Sequence, residues 1–175
     1  MDEENLDIID AENKVIGQAP KPEAHEKGLR HRVSAILVQR IEDGKYLITT
    51  AASQKPEAGG LYHSAAGHVA AGETYLEGAR RELEEETGIH APPKAFKLLG
   101  IWWFEKDYPT RKERERFEIY HLPYVPDMGE VVLNEEHVNP QWLTLNEIKA
   151  IYREHPERVS DPLKMTLRSI FKFDE

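Results

Sequence analysis

Four glutamates fall within five consecutive residues of a predicted helix, and three of them share one face. The segment Thr74–Thr87 has apolar residues at helical spacing and stops at Gly88, a residue that readily takes the left-handed conformation of helix ends. At about 100° per residue, Glu82, Glu85 and Glu86 project within a sector of about 100°. Carboxylates this close repel one another, and a hard divalent cation with oxygen ligands removes the conflict. The spacing therefore fits a metal site on this helix, and a solvated acidic face is the alternative.

Two other features of the helix bear on how it is placed. Gly78 falls one turn before Glu82 on the same face, and a glycine inside a helix costs roughly 1 kcal/mol. We therefore expect a packing reason or a site reason for this glycine, such as room for a bound group. A stripe of residues at helical spacing predicts the face that meets the core: Leu76, Ala79, Leu83 and Thr87.

The elements around this helix predict an α+β domain with a mixed sheet. Before the helix, we expect two short strands within 6–17, a loop or short helix over 18–30, a hairpin of strands 33–38 and 46–50, and short alternating apolar positions over 62–71. After it, strands at 95–104 and 116–125 are joined by a charged loop, and helices at 146–155 and 162–171 follow. Strands first and helices later indicate a single domain over 1–175.

Composition excludes several classes of protein. The net charge of −9 leaves no basic stripe for a nucleic acid polymer, and no apolar run approaches the roughly 20 residues of a membrane span. The chain has no cysteine, which excludes disulfides, thiolate metal sites and thiol nucleophiles. Its first residues are acidic, which is the wrong sign for a secretory leader. We expect a cytoplasmic protein that acts on a small molecule.

The segment from Gly67 to Ile89 resembles the Nudix box, G-x5-E-x7-R-E-U-x-E-E-x-G-U, where U is a bulky aliphatic residue. Every defined position is matched: Gly67, Glu73, Arg81, Glu82, Leu83, Glu85, Glu86, Gly88 and Ile89. The resemblance implies the Nudix fold, an α/β/α sandwich with a catalytic loop-helix-loop at 67–89. It also implies a Mg²⁺-dependent hydrolase, with Mn²⁺ as the alternative ion, that cleaves a diphosphate linkage in a nucleoside diphosphate derivative or related organic diphosphate. A homodimer is common in that family.

The same resemblance implies roles for residues of the box. Glu82, Glu85 and Glu86 would be metal ligands, and Arg81 would orient a neighbouring carboxylate. The box glycines and Glu73 would hold the loop.

Substrate contacts and the general base stay open. Gly67 and His68 are candidates to contact the substrate, and so is Trp103, which on a strand faces away from its neighbour Trp102. Packing in the core is the alternative for these tryptophans.

The proton acceptor of the reaction lies within the box or downstream in that family. Glu82, Glu118 and Glu136 are therefore all candidates. Glu118 sits within a predicted strand, where it faces either a site or the solvent, and Glu136 sits in a polar loop. The cations at 111, 112, 114 and 116 could guide phosphates, but the glutamates between them favour a solvated hairpin loop.

The N-terminal half is similar to the isopentenyl-diphosphate isomerase-like branch of the family. The segments 10–17 and 28–32, together with His25 and the Ala-Gly-His at 66–68, carry this similarity. The isomerase has a cysteine where this chain has Ala66, and a histidine-rich metal site completed by two strand glutamates. By this alignment one of those glutamates is replaced by Arg116, which leaves only Glu118.

Isomerase-like activity is therefore disfavoured but kept as an alternative. A non-catalytic binding module is a further alternative, against which the intact box carboxylates argue. His25, His31 and His68 either form a remnant second metal site or bind no metal.

Overall fold

A computed structural model describes residues 4–53 and 58–173. Within these ranges the strands are β1 (Asn5–Ile9), β2 (Val15–Pro20), β3 (His31–Arg40), β4 (Tyr46–Ala51), β5 (Leu61–Tyr62), β6 (Ala65–His68), β7 (Lys97–Asp107), β8 (Lys112–Tyr124) and β9 (His137–Leu143). The helices are α1 (Lys21–Lys27), α2 (Tyr75–Thr87), α3 (Leu145–Glu154) and α4 (Asp161–Phe171). None of these helices combines the length and the apolar character that crossing a membrane requires.

A mixed sheet with the order β5-β4-β3-β8-β7 forms the centre of the fold. Strand β3 runs parallel to β8, and β7 runs antiparallel to β8. Strand β6 pairs with β3 and strand β9 with β4, while β1 and β2 form a separate two-stranded sheet. The β-branched run of β3 suits its central place, because both faces of this strand are buried.

Each face of the sheet packs on helices. Side chains alternate along β8, so Phe117 and Ile119 join the core under α3 and α4, whereas Tyr120 and Leu122 join the core under α2. The predicted α+β class, with helices on both faces of a mixed sheet, is confirmed.

Two sequence predictions need correction. The charged loop between the last two long strands is mostly strand: β7 reaches Asp107 and β8 begins at Lys112, so the turn spans only 108–111. Glu113 and Glu115 are buried, 4% and 6% exposed, because the alternation of glutamate and arginine has the period of a strand and turns the glutamates inward. The predicted hairpin of β3 and β4 exists but is short. The two strands pair at Gln39 and Tyr46, beyond which β6 pairs with β3.

Helix α2 agrees with its prediction and is firmly closed at both ends. The Thr74 hydroxyl accepts from the Glu77 N–H, and the Glu77 carboxylate accepts from the Thr74 N–H. Gly88 ends the helix with φ of 70°. Gly78 has a packing reason, since a Cβ there would come within 3.2 Å of the Val69 side chain and 3.4 Å of the Glu73 carboxylate. The glycine makes room for the preceding loop and not for a bound group.

Candidate active site

A cavity of about 510 Å³ lies where β6, α2, β7 and β8 come together. Two groups of side chains line it. One is the glutamate set, which we define as Glu82, Glu85 and Glu86, and the other contains His68, Glu113 and Glu115. Apolar residues complete the walls, among them Val33, Phe104, Phe117 and Pro162. The cavity therefore combines densely charged walls with an apolar part.

The glutamate set is partly buried, which sequence spacing did not predict. Glu82 and Glu86 are 9% and 2% exposed, whereas Glu85 is exposed. Burial raises the pKa of Glu82, against the opposing effect of the Arg81 charge. Gly67 lies directly against this carboxylate, because a Cβ at Gly67 would stand 2.0 Å from the Cδ atom of Glu82. The lack of a side chain at Gly67 therefore leaves the space that the Glu82 carboxylate occupies.

Arg81 ties the loop before α2 to the carboxylates on it. Its Nε and Nη2 donate to Glu73 at 3.0 Å each, and Nη2 also donates to the His68 carbonyl at 2.8 Å. Its Nη1 donates to Glu82 at 2.7 Å and to Glu85 at 3.3 Å. The hydrogen bonds from Arg81 hold the pKa of Glu73 below its usual value. This geometry suits an arginine that orients carboxylates.

Glu86 is held from two sides, one of which the sequence did not reveal. Its Oε2 accepts from the Ala66 N–H at 2.8 Å and lies 3.4 Å from Nδ1 of His137. His137 is fully buried on β9, whose neighbours in sequence are exposed. A lone histidine in a polar segment carries no signal in one sequence. Only the pairing of β9 with β4 places it behind the glutamate set.

Three histidines and a glutamate form a compact group, of which His68 and Glu115 line the cavity. We call His25, His31, His68 and Glu115 the histidine cluster; one ligand atom from each lies within 4.8 Å of all the others. Nε2 of His25 is 3.1 Å from Nε2 of His68, and Oε1 of Glu115 is 3.6 Å from Nε2 of His31 and 3.5 Å from Nε2 of His68. Burial lowers the pKa of His68 well below its usual value, so this ring is neutral and able to bind a metal.

Two buried atoms of this region fit a metal ion. Nδ1 of His31 contacts the Leu29 carbonyl at 2.7 Å and must carry the ring proton, which leaves the lone pair of Nε2 facing the cluster. That Nε2 is buried without a hydrogen-bond partner among the described residues, and the same holds for Oε2 of Glu113. Although Glu113 Oε2 lies 3.0 Å from Nδ1 of His25, the pair is not aligned as a hydrogen bond. A cation with nitrogen and oxygen ligands satisfies such atoms.

Glu113 and Glu115 correct the sequence alignment to the isomerase-like branch. The strand glutamates beside the histidines are these two, not positions 116 and 118. The mistake came from starting the strand at 116. Strand β8 begins four residues earlier, and its first inward positions are the glutamates.

Comparison with known proteins assigns the family. Residues 30–162 match the NUDIX domain. The Nudix hydrolase YfcD of Escherichia coli is 37% identical over 148 residues, which cover 83% of this chain and 76% of that protein. The chain belongs to the Nudix hydrolase family. Nudix hydrolases of Yersinia pestis and Clostridium acetobutylicum are 40% and 36% identical to this chain, in matches that cover 58% and 69% of its length. It spans only 55% and 59% of the length of those two relatives.

Solved structures share the fold at lower identity. DR0079 from Deinococcus radiodurans superposes with a TM-score of 0.74 at 22% identity, covering 96% of this chain and 99% of its own. A bifunctional NMN adenylyltransferase/ADP ribose pyrophosphatase from Francisella tularensis gives a TM-score of 0.63 at 16% identity, over 81% of this chain and 41% of that one. At these identities the likeness shows the fold alone.

The structure separates the other predicted site residues of the Nudix chain. Glu136 lines the cavity, as do Gly67 and His68. Glu118 does not, because it lies on the opposite face of β8 from Glu115 and accepts from the Tyr120 hydroxyl at 2.7 Å. Trp103 is also on that opposite face, under the guanidinium of Arg30. Neither residue is positioned to touch a substrate in this cavity.

The contact between Gly67 and Glu82 gives a sharp test. Gly67→Ala places a methyl group where the Glu82 carboxylate now lies, so this carboxylate must move away from the glutamate set. We expect Mg²⁺ affinity and turnover to fall by about 10- to 100-fold, as measured by metal titration of activity. Gly17→Ala is the matched control, since a Cβ at Gly17 meets no atom within 4 Å. Equal Mg²⁺ dependence in both variants would contradict this account of Gly67.

Proposed function

We propose that this chain, acting as a single domain over 1–175, is a Mg²⁺-dependent hydrolase that cleaves a diphosphate linkage in a nucleoside diphosphate derivative or related organic diphosphate. The observation that carries the proposal is the glutamate set, gathered at one end of an open cavity. Two of its carboxylates are buried and fixed by Arg81 and by the Ala66 N–H. Holding buried carboxylates close together costs free energy because they repel one another, and a bound divalent cation offsets this cost.

Glu82, Glu85 and Glu86 would hold Mg²⁺, or Mn²⁺ as the alternative. A bound ion supplies charge neutralisation at the phosphoryl oxygens and a water of lowered pKa. The chain's own residues then set the geometry. Arg81 holds Glu82 and Glu85 in place, and the Ala66 N–H fixes one oxygen of Glu86.

The general base of this proposal is Glu136. Water attacks one phosphorus, the bond to the bridging oxygen breaks, and the proton of the water passes to a carboxylate. Glu136 is an exposed carboxylate that lines the cavity, whereas the Glu82 carboxylate is buried and accepts a hydrogen bond from Arg81. The place of Glu118 on the other face of the sheet argues against this role for Glu118.

The proposed hydrolysis is tested by turnover on a panel of nucleotides, nucleotide sugars, dinucleotides and prenyl diphosphates with Mg²⁺. We expect phosphate or monophosphate release that falls by about 100-fold or more in Glu86→Gln, because loss of a ligand weakens charge stabilisation by several kcal/mol. Glu84→Gln is the control, since Glu84 is exposed on the same helix and pairs with His90. Release unaffected by Glu86→Gln would contradict the proposal.

The choice of base is tested by two substitutions in parallel. Glu136→Gln should lower kcat by about 10²- to 10⁴-fold with Mg²⁺ affinity retained, as expected when a general base is removed. Glu118→Gln should leave kcat within about threefold, since its contacts are Tyr120 and Arg116 on the far face. The opposite ranking in a steady-state assay would transfer the role to Glu118.

We further propose that the histidine cluster binds a second, softer divalent ion. Imidazole ligands suit Zn²⁺, Fe²⁺ or Mn²⁺ better than Mg²⁺. Metal analysis of the purified protein should find close to one equivalent of transition metal, lost in His31→Ala. The control His90→Ala changes an exposed histidine outside the cluster and should keep the metal. Equal metal content in both variants would contradict a second site.

A second function, isomerisation of a prenyl diphosphate, is favoured by one observation only. Glu113 and Glu115 complete the surroundings of the histidines and could carry protons. Ala66 offers no acid where the isomerase has its cysteine. In the same panel, isomerised product without phosphorus release would support this function, and silence despite metal binding would favour a binding module. A homodimer, a cytoplasmic location and the absence of a nucleic acid partner stay predictions.

A further inference from the structure

The four cationic residues near the β7–β8 turn, at positions 111, 112, 114 and 116, lie in four different environments. Lys112 is exposed, and Arg114 pairs with Asp107 at 2.7 Å. Arg116 donates to the Tyr75 hydroxyl at 2.9 Å on the far face of the sheet. Of these four, Arg111 alone lines the cavity. Sequence alone could not separate them, because they share one charged segment.

Not every N–H group of Arg111 has an acceptor among the described residues. Its Nη2 forms an ion pair with Oε1 of Glu113. Its Nε is buried, and no hydrogen-bond partner for it occurs among the described residues. A guanidinium carries five N–H donors in a rigid fork, and buried donors in native proteins nearly always have an acceptor. An acceptor for this N–H group is therefore expected, and because Arg111 lines the cavity, a group bound there is the candidate.

The charges of the residues that line the cavity indicate which kind of group could be the acceptor for Arg111. The described residues that line it include eight carboxylates and three cations, Lys21, Arg81 and Arg111. Arg81 already donates to Glu73, Glu82 and the His68 carbonyl, and Lys21 pairs with Glu4 at 2.9 Å. Arg111 pairs with Glu113 and lines the same cavity as the glutamate set. An anion in this cavity would have both a glutamate-bound ion and Arg111 among its surroundings.

We propose that Arg111 binds a non-bridging oxygen of the substrate's diphosphate. This inference rests on the proposed diphosphate hydrolysis. The fork of Arg111 keeps one N–H on Glu113 and offers Nε to the substrate. Tyr108, which precedes it in the same turn, also lines the cavity and borders this position.

The test measures binding without turnover. Methylenediphosphonate, a diphosphate whose bridge cannot be hydrolysed, is titrated calorimetrically in Mg²⁺ into the full chain and its variants. Arg111→Gln should weaken binding by about tenfold or more, which corresponds to about 1.4 kcal/mol. Arg111→Lys keeps a charge for Glu113 but lacks Nε, and should bind at an intermediate level. Arg114→Gln is the matched control on the same hairpin and should bind like wild type.

Several outcomes would overturn the inference. Arg111→Gln binding as tightly as wild type would make Arg111 only a counter-ion of Glu113, as would a loss of thermal stability without weaker binding. Equal weakening in Arg114→Gln would make the effect one of general charge. No binding by wild-type protein in Mg²⁺ would also refute it, whereas hydrolysis is judged separately by the turnover of Glu86→Gln. With a hydrolysed substrate, we expect KM to rise in Arg111→Gln and kcat to stay within about threefold.

Discussion

Close packing of carboxylates around one cavity is the constraint on which the rest of this structure depends. Two like charges about 4 Å apart at an effective dielectric of about 20 repel by about 4 kcal/mol, so the cavity needs fixed counter-charges to exist. Arg81 supplies the central one. It contacts Glu73 in the loop and Glu82 and Glu85 on α2, and it also binds the His68 carbonyl. One guanidinium therefore sets the distance between the loop and the helix, and with it the shape of the site.

The alternation of side chains along β8 decides which residues reach this cavity. Glu113, Glu115 and Phe117 face it, and the residues between them face the other side of the sheet. There Arg116 and Glu118 form a separate polar group with Tyr75 and Tyr120. A shift of register by one residue would exchange the two sets. The ten paired positions between β3 and β8 fix that register and thereby protect the site.

Features that depend on neighbouring residues could be predicted from the sequence, whereas contacts between distant segments could not. The box predicted α2, its ends and the glutamate set, because Thr74, Gly88 and the spacing of the glutamates are local signals. It did not predict that Gly67 lies against Glu82, since that contact joins a strand to a helix. His137 was beyond reach for the same reason, and Arg111 was named only as one of four cations that the sequence could not tell apart. The burial of Glu113 and Glu115 was missed because charged alternation on a strand looks like a solvated loop until the facing histidines are known.

The two candidate metal positions share one electrostatic feature, which is the excess of negative charge around them. This excess suggests a role for the histidine cluster that does not need the cysteine of the isomerase. A diphosphate brings several negative charges into a cavity whose described walls already hold eight carboxylates and three cations. A single Mg²⁺ at the glutamate set offsets only part of that charge. A second cation at the histidine cluster would neutralise Glu113 and Glu115, which frees the Arg111 fork from part of its ion pair. We infer that the cluster would then assist anion binding, a role that needs no cysteine at position 66.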